Sequence, residues 1–194
     1  MTKEHNFDIG KMHIELFLPS EKLRENIIIP RLAQDSRIIS IQSGDEDVDG
    51  CDALITGDSH FSLGIKTADC APICLSDGEK IGIMHIGWRG LCLGLIEKML
   101  VNFNGKTLDV YVAPFLHSFE IKKDSCYDRV TEKFGKQFFE EKSGKIFFNF
   151  KNAIHLLLPS QTVYDARDTE TDKSFPSHRR DGTKSRFVTA VSFR

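Results

Sequence analysis

The order of apolar and polar positions divides the 194-residue chain into short segments, most of them strands. Residues 11–17, Lys-Met-His-Ile-Glu-Leu-Phe, alternate with a period of two, which turns Met12, Ile14 and Leu16 to one face. Pro19 and Ser20 followed by residues 21–25 predict a short helix with Ser20 as N-cap, ended or bent by Pro30. A strand is expected over 37–41 and a strand entry over 51–56, with Gly57-Asp58-Ser59 as a turn, His60 on the surface and residues 61–66 leading into the stretch that follows. Residues 71–75 and 81–86 are apolar runs around the turn chemistry of Ser76-Asp77-Gly78-Glu79-Lys80, a hairpin signal. After Gly90, Leu91, Cys92, Leu95, Ile96, Met99, Leu100 and Phe103 recur at spacings of three and four. They predict one amphipathic helix, with Cys92 in its core stripe, that stops at Asn104-Gly105. The remainder reads as a strand over 108–112, a helix over 125–141, a strand over 146–150 and a helix over 152–158. A strand over 161–166, a turn over 177–182 and a closing strand over 186–193 complete it. Strands and helices interleave with hairpin-like neighbours, which points to a mixed-sheet α/β or α+β single domain.

The hairpin turn fixes what faces what. With Asp77-Gly78 as the turn, Cys70 sits directly opposite His85. With Gly78-Glu79 as the turn, the register moves by two and Cys70 lies diagonal to His85. Both registers put thiol and imidazole on one face, about 5 Å or roughly 7 Å apart at Cβ. Either spacing suits a shared metal ion or a thiol activated by an imidazole. Asp69 precedes the Cys, and Trp88-Arg89 follow the His at a strand-to-helix junction that offers unpaired N–H groups to an anion.

Composition narrows the class. Hydrophobic residues make up 40% of the chain and charged ones 28%, ordinary for a soluble domain of this size, and a net charge of −2 gives no reason to expect nucleic acid binding. The five cysteines Cys51, Cys70, Cys74, Cys92 and Cys126 are odd in number and mostly lie in apolar runs, which argues for reduced thiols and a cytoplasmic protein. The start lacks the apolar core of a signal peptide, and no run approaches membrane-span length.

Three motifs carry a resemblance: Thr67-Ala68-Asp69-Cys70-Ala71-Pro72, His85-Ile86-Gly87-Trp88-Arg89-Gly90 and Ser177-His178-Arg179-Arg180-Asp181-Gly182. Together they resemble the laccase-domain family, also called multicopper polyphenol oxidoreductase, peptidoglycan editing factor and purine nucleoside phosphorylase. The resemblance covers roughly residues 37–194 and is weak over about 1–36. It implies a layered α/β/β/α single domain over 1–194, shared at the core with Cys-His deamidase toxins. It also implies a purine nucleoside phosphorylase or adenosine deaminase activity on a small-molecule nucleoside and phosphate, at a zinc site of two His and one Cys. Carried over, Cys70 and His85 are metal ligands, Cys70, His85 and Asp69 are the catalytic candidates, and Arg89, Arg179 and Arg180 hold phosphate. The family's first ligand, in Gln-Val-His-Gly, falls on Gly44 when Gln42 and Val48 are matched without a gap, or on Ser43 when shifted by one, so that His is lost. Asp45 or Glu46 is an oxygen substitute or a solvated loop. Cys126 and His117 are outside candidates for a third ligand. The segment 113–122 is an altered form of the family's Gly-Pro-x-Ile … Phe-Glu-Val-Gly, and a Cys-Thr pair of the family has no Cys near Asp165–Thr169. Too few His residues are placed for a multicopper cluster, so zinc ranks above copper. Two other readings stay open: a metal-free Cys-His hydrolase or amidase that edits peptidoglycan precursors, and a degenerate non-catalytic member.

Overall fold

The computed structural model describes residues 5–104 and 107–194. Two mixed sheets carry it. The first has five strands, in spatial order β1 (Asn6–Ile9), β2 (Met12–Phe17), β14 (Phe187–Phe193), β6 (Ser62–Thr67) and β3 (Ile27–Ile28). The second has six: β13 (Val163–Tyr164), β9 (Asp109–Val112), β7 (Ala71–Ser76), β8 (Ile81–Ile86), β5 (Ala53–Thr56) and β4 (Ile38–Ile41). A small sheet of β10 (Phe119–Ile121), β12 (Lys145–Phe148) and β11 (Phe139–Lys142) stands apart. The mixed α/β class is the one the interleaved pattern predicts.

Alternation explains how the large sheets meet. Met12, Ile14 and Leu16 are buried as expected and join Leu63, Ile65, Phe187 and Val191 on the inner face of the first sheet. They pack on Leu54, Cys74, Ile81, Ile83 and Tyr111 of the second. The other face of the six-stranded sheet is covered by α1 (Trp88–Cys92), α2 (Leu95–Leu100), α3 (Ser125–Phe134) and α4 (Phe150–Leu157). The two cores thus read helices, sheet, sheet. The strands of the six-stranded sheet are buried on both faces, which is why residues 71–76 and 81–86 are apolar without alternation.

Several expected elements differ. No helix follows Ser20; the Glu21 carboxylate instead accepts the Leu18 N–H, and the chain goes on to β3. The single helix expected after Gly90 is two, α1 and α2, because Gly94 takes the left-handed conformation (φ 78°) between them. Gly105, expected to stop it, lies outside the described residues. The helix from Ser125 ends at Gly135 (φ 83°), and residues 139–142 pair as β11 rather than continuing helical to Glu141. The closing motif is less a turn than one helical turn, α5 (His178–Asp181), capped by the Ser177 side chain on the Arg180 N–H.

The connection that positions the site is the shortest between the sheets. β6 belongs to the first and β7 to the second, so Ala68, Asp69 and Cys70 alone span from one to the other. Asp69 achieves the bend with φ 86°, a left-handed conformation that costs a non-glycine residue about 1 kcal/mol or more. Its carboxylate offsets that. The residue is 7% exposed, Oδ1 accepts from Thr169 Oγ1 at 2.8 Å and Oδ2 accepts from the Arg179 N–H at 2.7 Å. One side chain therefore ties the crossover to residues 100 and 110 positions later. Asp69→Ala leaves two buried donors unpaired and is expected to cost about 2–4 kcal/mol in urea unfolding. Limited proteolysis should then cut first within 169–184, the segment the carboxylate holds; a pattern like the wild type's would mean that other contacts fix it.

Candidate functional site

Of the two registers, the hairpin adopts the one that pairs Ser76 with Ile81 and Pro72 with His85. Extended by two residues, it sets Cys70 across from Gly87 and diagonal to His85. The imidazole is 5% exposed, and its Nδ1 lies 2.7 Å from Oδ1 of Asp52, itself fully buried. The ring's other edge lies beside the thiol: Cys70 Sγ and His85 Nε2 both border the space next to Gly87. A Cβ placed on Gly87 would stand 3.2 Å from Sγ and 3.9 Å from Nε2, so the absence of a side chain there keeps both atoms accessible.

Carboxylate, imidazole and thiol thus form a chain: Asp52, His85, Cys70. Asp52 was missed by the sequence reading, which took it only as part of a strand entry. It is held by the row of β5 and β8: its carbonyl accepts the His85 N–H at 2.7 Å, and Oδ2 accepts the Asp35 N–H at 2.8 Å. Burial works to raise the Asp52 carboxyl, but the hydrogen bonds from His85 and Asp35 prevail and hold it below the usual carboxylate range. Burial likewise opposes charge on His85. The bond to Asp52 and the neighbouring Cys70 outweigh it and push the imidazole up to about 9, so the ring is an imidazolium at neutral pH.

This chain opens into a cavity of about 390 Å³ lined by Leu32, Gln34, residues 66–69, Cys70, His85, His178, Arg179 and Arg186. Lys66, Arg179 and Arg186 are among the lining residues, the Arg179 guanidinium also lying 4.3 Å over the Phe119 ring and donating to Glu120 O, and the Asp69 carboxylate beside them has both oxygens engaged. Of the three non-glycine residues with positive φ among the described residues, Gln34 and Asp69 both line it. The other thiols differ in setting. Burial pushes Cys51 up to about 11 and Cys126 up to about 12, and it raises Cys74 and Cys92 as well.

The expected site residues separate on this geometry. Cys70, His85, Asp69 and Arg179 meet at the cavity. Asp69 acts there through the backbone and Thr169, as a positioning residue. Arg89 stands one layer back: its Nη1 donates to Gln34 Oε1 at 2.9 Å and its guanidinium lies 4.5 Å from the centre of the Trp88 ring. Arg180 does not reach the cavity. Its guanidinium donates to the carbonyls of Thr169 and Phe175 and pairs with Asp181, so its role is to close the α5 loop rather than to hold phosphate. The anion site expected at the start of α1 has little to offer, since that helix is only five residues long. Cys126 is a buried residue in the first turn of α3, and His117 neighbours Asp168 rather than Cys70.

Gly44 and Ser43 do not occupy a vacated ligand position. β4 runs parallel to β5, with Ile38 beside Ala53 and Ile41 beside Thr56, so residues 42–44 leave the sheet at the end remote from His85. There the Glu46 carboxylate accepts the N–H groups of Gln42, Ser43 and Gly44, and the Ser43 and Gln42 bonds pull its carboxyl down to about 2. The segment that meets His85 is the one before β4: Asp52 N–H binds Arg37 O, Asp35 N–H binds the Asp52 carboxylate, and Gln34 reaches the cavity. Of this segment, Gln34 lines the cavity that Cys70 and His85 share.

A zinc centre needs three protein donors with one open position, each imidazole ligand backed by a second-shell acceptor. Asp52 supplies such a backing, but beyond Cys70 and His85 the other potential donors lining the cavity, His178 and Asp69, do not converge with them. Gln34 is a neutral amide whose oxygen is held by Arg89, and the surrounding wall is cationic. Among the described residues, no three His, Cys, Asp or Glu side chains converge to hold a metal. The residues present do not complete the family's zinc site.

The comparisons agree with the fold. The family described as multi-copper polyphenol oxidoreductase laccase matches residues 14–194, and the chain belongs to it. Among curated relatives, a purine nucleoside phosphorylase of Aquifex aeolicus is 34% identical over 97% of both chains. An adenosine deaminase from an unknown prokaryotic organism is 31% identical over 59% of this chain, a match that spans 49% of that relative. The solved structure of YlmD from Geobacillus stearothermophilus superposes with a TM-score of 0.76 at 22% identity, covering 88% of this chain and 74% of that one. Among the described residues no helix is long and apolar enough to cross a membrane.

Two measurements test the site. The folded imidazole binds its proton more tightly than the unfolded one, whose ordinary value is 6.5. Its contribution to stability is therefore complete below 6.5 and lost as pH rises through about 9. The wild-type Tm should fall over that window, and His85→Gln should flatten the decline. The second concerns metal. Chelator competition should show weak zinc binding by the wild type, a gain of more than about tenfold for Gln34→His, and none for Gly44→His. Tight zinc in the wild type would mean that a further donor reaches the cavity.

Proposed function

We propose that the protein is a purine nucleoside phosphorylase-type enzyme acting at the Cys70–His85 cavity. The observation that carries this reading is the Asp52–His85–Cys70 chain opening into a cation-lined pocket; the activity named for the Aquifex aeolicus relative gives the substrate class. In phosphorolysis a phosphate oxygen bonds to C1′ of the ribose while the bond from C1′ to the purine nitrogen breaks. The departing base carries the electron pair and needs a proton. His85, held as imidazolium between Asp52 and Cys70, is the acid that supplies it. Asp52 keeps the ring oriented and charged, as a buried carboxylate behind a catalytic histidine does. Cys70 lies against the ring's exposed edge and holds it in place; its sulfur forms no bond in this step. Arg179 and its neighbours counter the charge of phosphate, and Arg89 acts through Gln34. No step here passes through a metal.

Inosine should release hypoxanthine and ribose 1-phosphate only when phosphate is present. His85→Ala and Cys70→Ala should each lower kcat by at least about a hundredfold with near-native melts. Asp52→Asn should lower kcat and move the basic limb of the pH profile to lower pH, since it removes a bond that favours the imidazolium. Base release that does not depend on phosphate, or full activity in His85→Ala, would refute the reading.

A second reading draws on the same chain. A thiol, an imidazole and a carboxylate in series are the parts of a cysteine nucleophile. In that case the Cys70 thiolate adds to an amide or ester carbonyl, the amine or alcohol leaves with a proton from His85, and water cleaves the thioester. Gly87→Ala separates the two. Its Cβ would crowd Sγ at a backbone φ of −97° that alanine tolerates, so it should slow acylation of Cys70, seen by intact mass, far more than phosphorolysis. An acyl adduct on wild-type Cys70 with no phosphorolysis would favour the hydrolase.

A further inference from the structure

The cavity is lined by one amide side chain, and its orientation is fixed. Gln34 Oε1 accepts from Arg89 Nη1 at 2.9 Å. A guanidinium has donors only, so the atom that meets it is the oxygen, and the amide is not free to turn over. Arg89 is itself held, its guanidinium lying 4.5 Å from the centre of the Trp88 ring. The two N–H donors of Gln34 are left over: Nε2 makes no hydrogen bond to a described residue, and the residue is exposed on the cavity wall. Gln34 also has a left-handed backbone (φ 60°), which glycine would adopt without strain, so the glutamine is kept for its side chain.

Its neighbours put this amide on the His85 side of the cavity. Gln34 lies in the segment before β4, and the next N–H along the chain, that of Asp35, donates to Asp52 Oδ2 at 2.8 Å. The other oxygen of the same carboxylate lies 2.7 Å from His85 Nδ1. Lys66 and Arg186 come instead from β6 and the residue before β14, strands of the other sheet. A leaving base sits within reach of the acid that protonates it, and Gln34 is on that side. The carboxylate and amide oxygens of the lining are already engaged, Asp69 by Thr169 and the Arg179 N–H, Gln34 by Arg89. What remains on offer is donors, which suit a base edge made of acceptors. A 6-oxopurine presents O6 and N7 side by side, both acceptors, whereas adenine sets an N6 donor beside N7. As the bond to C1′ breaks, the electron pair spreads through the base onto N7 and O6, so a donor placed there grips more strongly as the reaction advances.

We infer that Gln34 is the base-reading residue of the site: with its oxygen clamped by Arg89, its N–H groups donate to the O6 and N7 edge of a 6-oxopurine and select inosine-type nucleosides over adenosine. The inference rests on the phosphorylase reading and names the substrate within its class. Gln34 touches the base, Arg89 is the positioning residue behind it, and the proton for the leaving base still comes from His85.

The experiment compares inosine and adenosine as substrates for phosphorolysis, with a chelator present, in the wild type, Gln34→Met, Gln34→Glu and Arg89→Met. The ratio of the two kcat/KM values reads the base alone, because ribose and phosphate are common to both reactions. The inference expects the wild type to favour inosine by about tenfold or more. Gln34→Met keeps the length without the amide and should bring the ratio close to unity, with little change in the phosphate KM. Gln34→Glu keeps a partner for Arg89 but offers oxygen in place of N–H, so the preference should turn to adenosine. Arg89→Met frees the amide to turn over and accept from N6, and should lower the ratio severalfold; a merely structural role would lower both activities together and leave the ratio as it was. A wild-type ratio at or below unity overturns the inference, and so does a wild-type ratio that persists in Gln34→Met or Gln34→Glu. Calorimetry with free hypoxanthine and free adenine repeats the comparison without turnover. A hypoxanthine preference that Gln34→Glu reverses, in a protein without phosphorolysis, keeps the base subsite and removes the phosphorylase reading. Phosphorolysis of both nucleosides at equal kcat/KM keeps that reading and overturns the inference.

Discussion

Three residues carry the chain from one sheet to the other, and a carboxylate at their centre holds the crossing in place. Facing sheets lie about 10 Å apart, so Ala68, Asp69 and Cys70 have little slack, and the left-handed backbone at Asp69 is how the turn is made. A buried carboxylate without partners would be far too costly to keep. Thr169 and the Arg179 backbone satisfy it and are fixed by it in return. The crossover, the loop around Thr169 and the start of α5 therefore form one unit, and the first and last of these line the cavity. Cys70 follows Asp69 directly, so the same constraint that bends the chain delivers the thiol.

Two opposite charge patterns meet at that thiol. Behind it lie Asp52 and the imidazolium of His85, a buried pair in which the backbone N–H of Asp35 supplies a further bond to the carboxylate. In front lie Arg179, Arg186 and Lys66, open to solvent and to an anion. A buried charge pair is a weak source of stability and a strong source of orientation, since removing either partner strands the other. The site is arranged to hold a proton on His85 next to a place for negative charge. A zinc centre needs a third donor beside Cys70 and His85; the Gln34 amide at this cavity has its oxygen turned to Arg89. The family membership and the fold are shared with the relatives.

The sequence alone determined much of this. Period-two alternation placed Met12, Ile14 and Leu16 inward, because a strand with one buried face leaves no other solution. The apolar runs at 71–75 and 81–86 marked a hairpin, and the turn chemistry between them set Cys70 and His85 on one face. Local signals were less decisive where glycine or tertiary pairing intervened. Gly94 split a stripe that read as one helix, and residues 139–142 left a helical pattern to pair with β12.

What only the tertiary structure decided is the company these residues keep. Asp52 lies 33 positions before His85 and Thr169 lies 100 after Asp69, separations at which no periodicity links two side chains. Gly44 and Ser43, matched to a ligand position by sequence, lie away from His85 for the same reason, while Gln34 lines its cavity. Matching Gln42 and Val48 to a motif fixes letters in a row, but the direction of β4 beside β5 decides which end of that row reaches His85, and it is the end before the strand. Arg179 and Arg180 are adjacent in sequence, yet one faces the cavity and the other closes its own loop, because consecutive residues of a helical turn point to different sides. Sequence spacing reports which residues share an element; the packing of elements on one another reports which residues share a site.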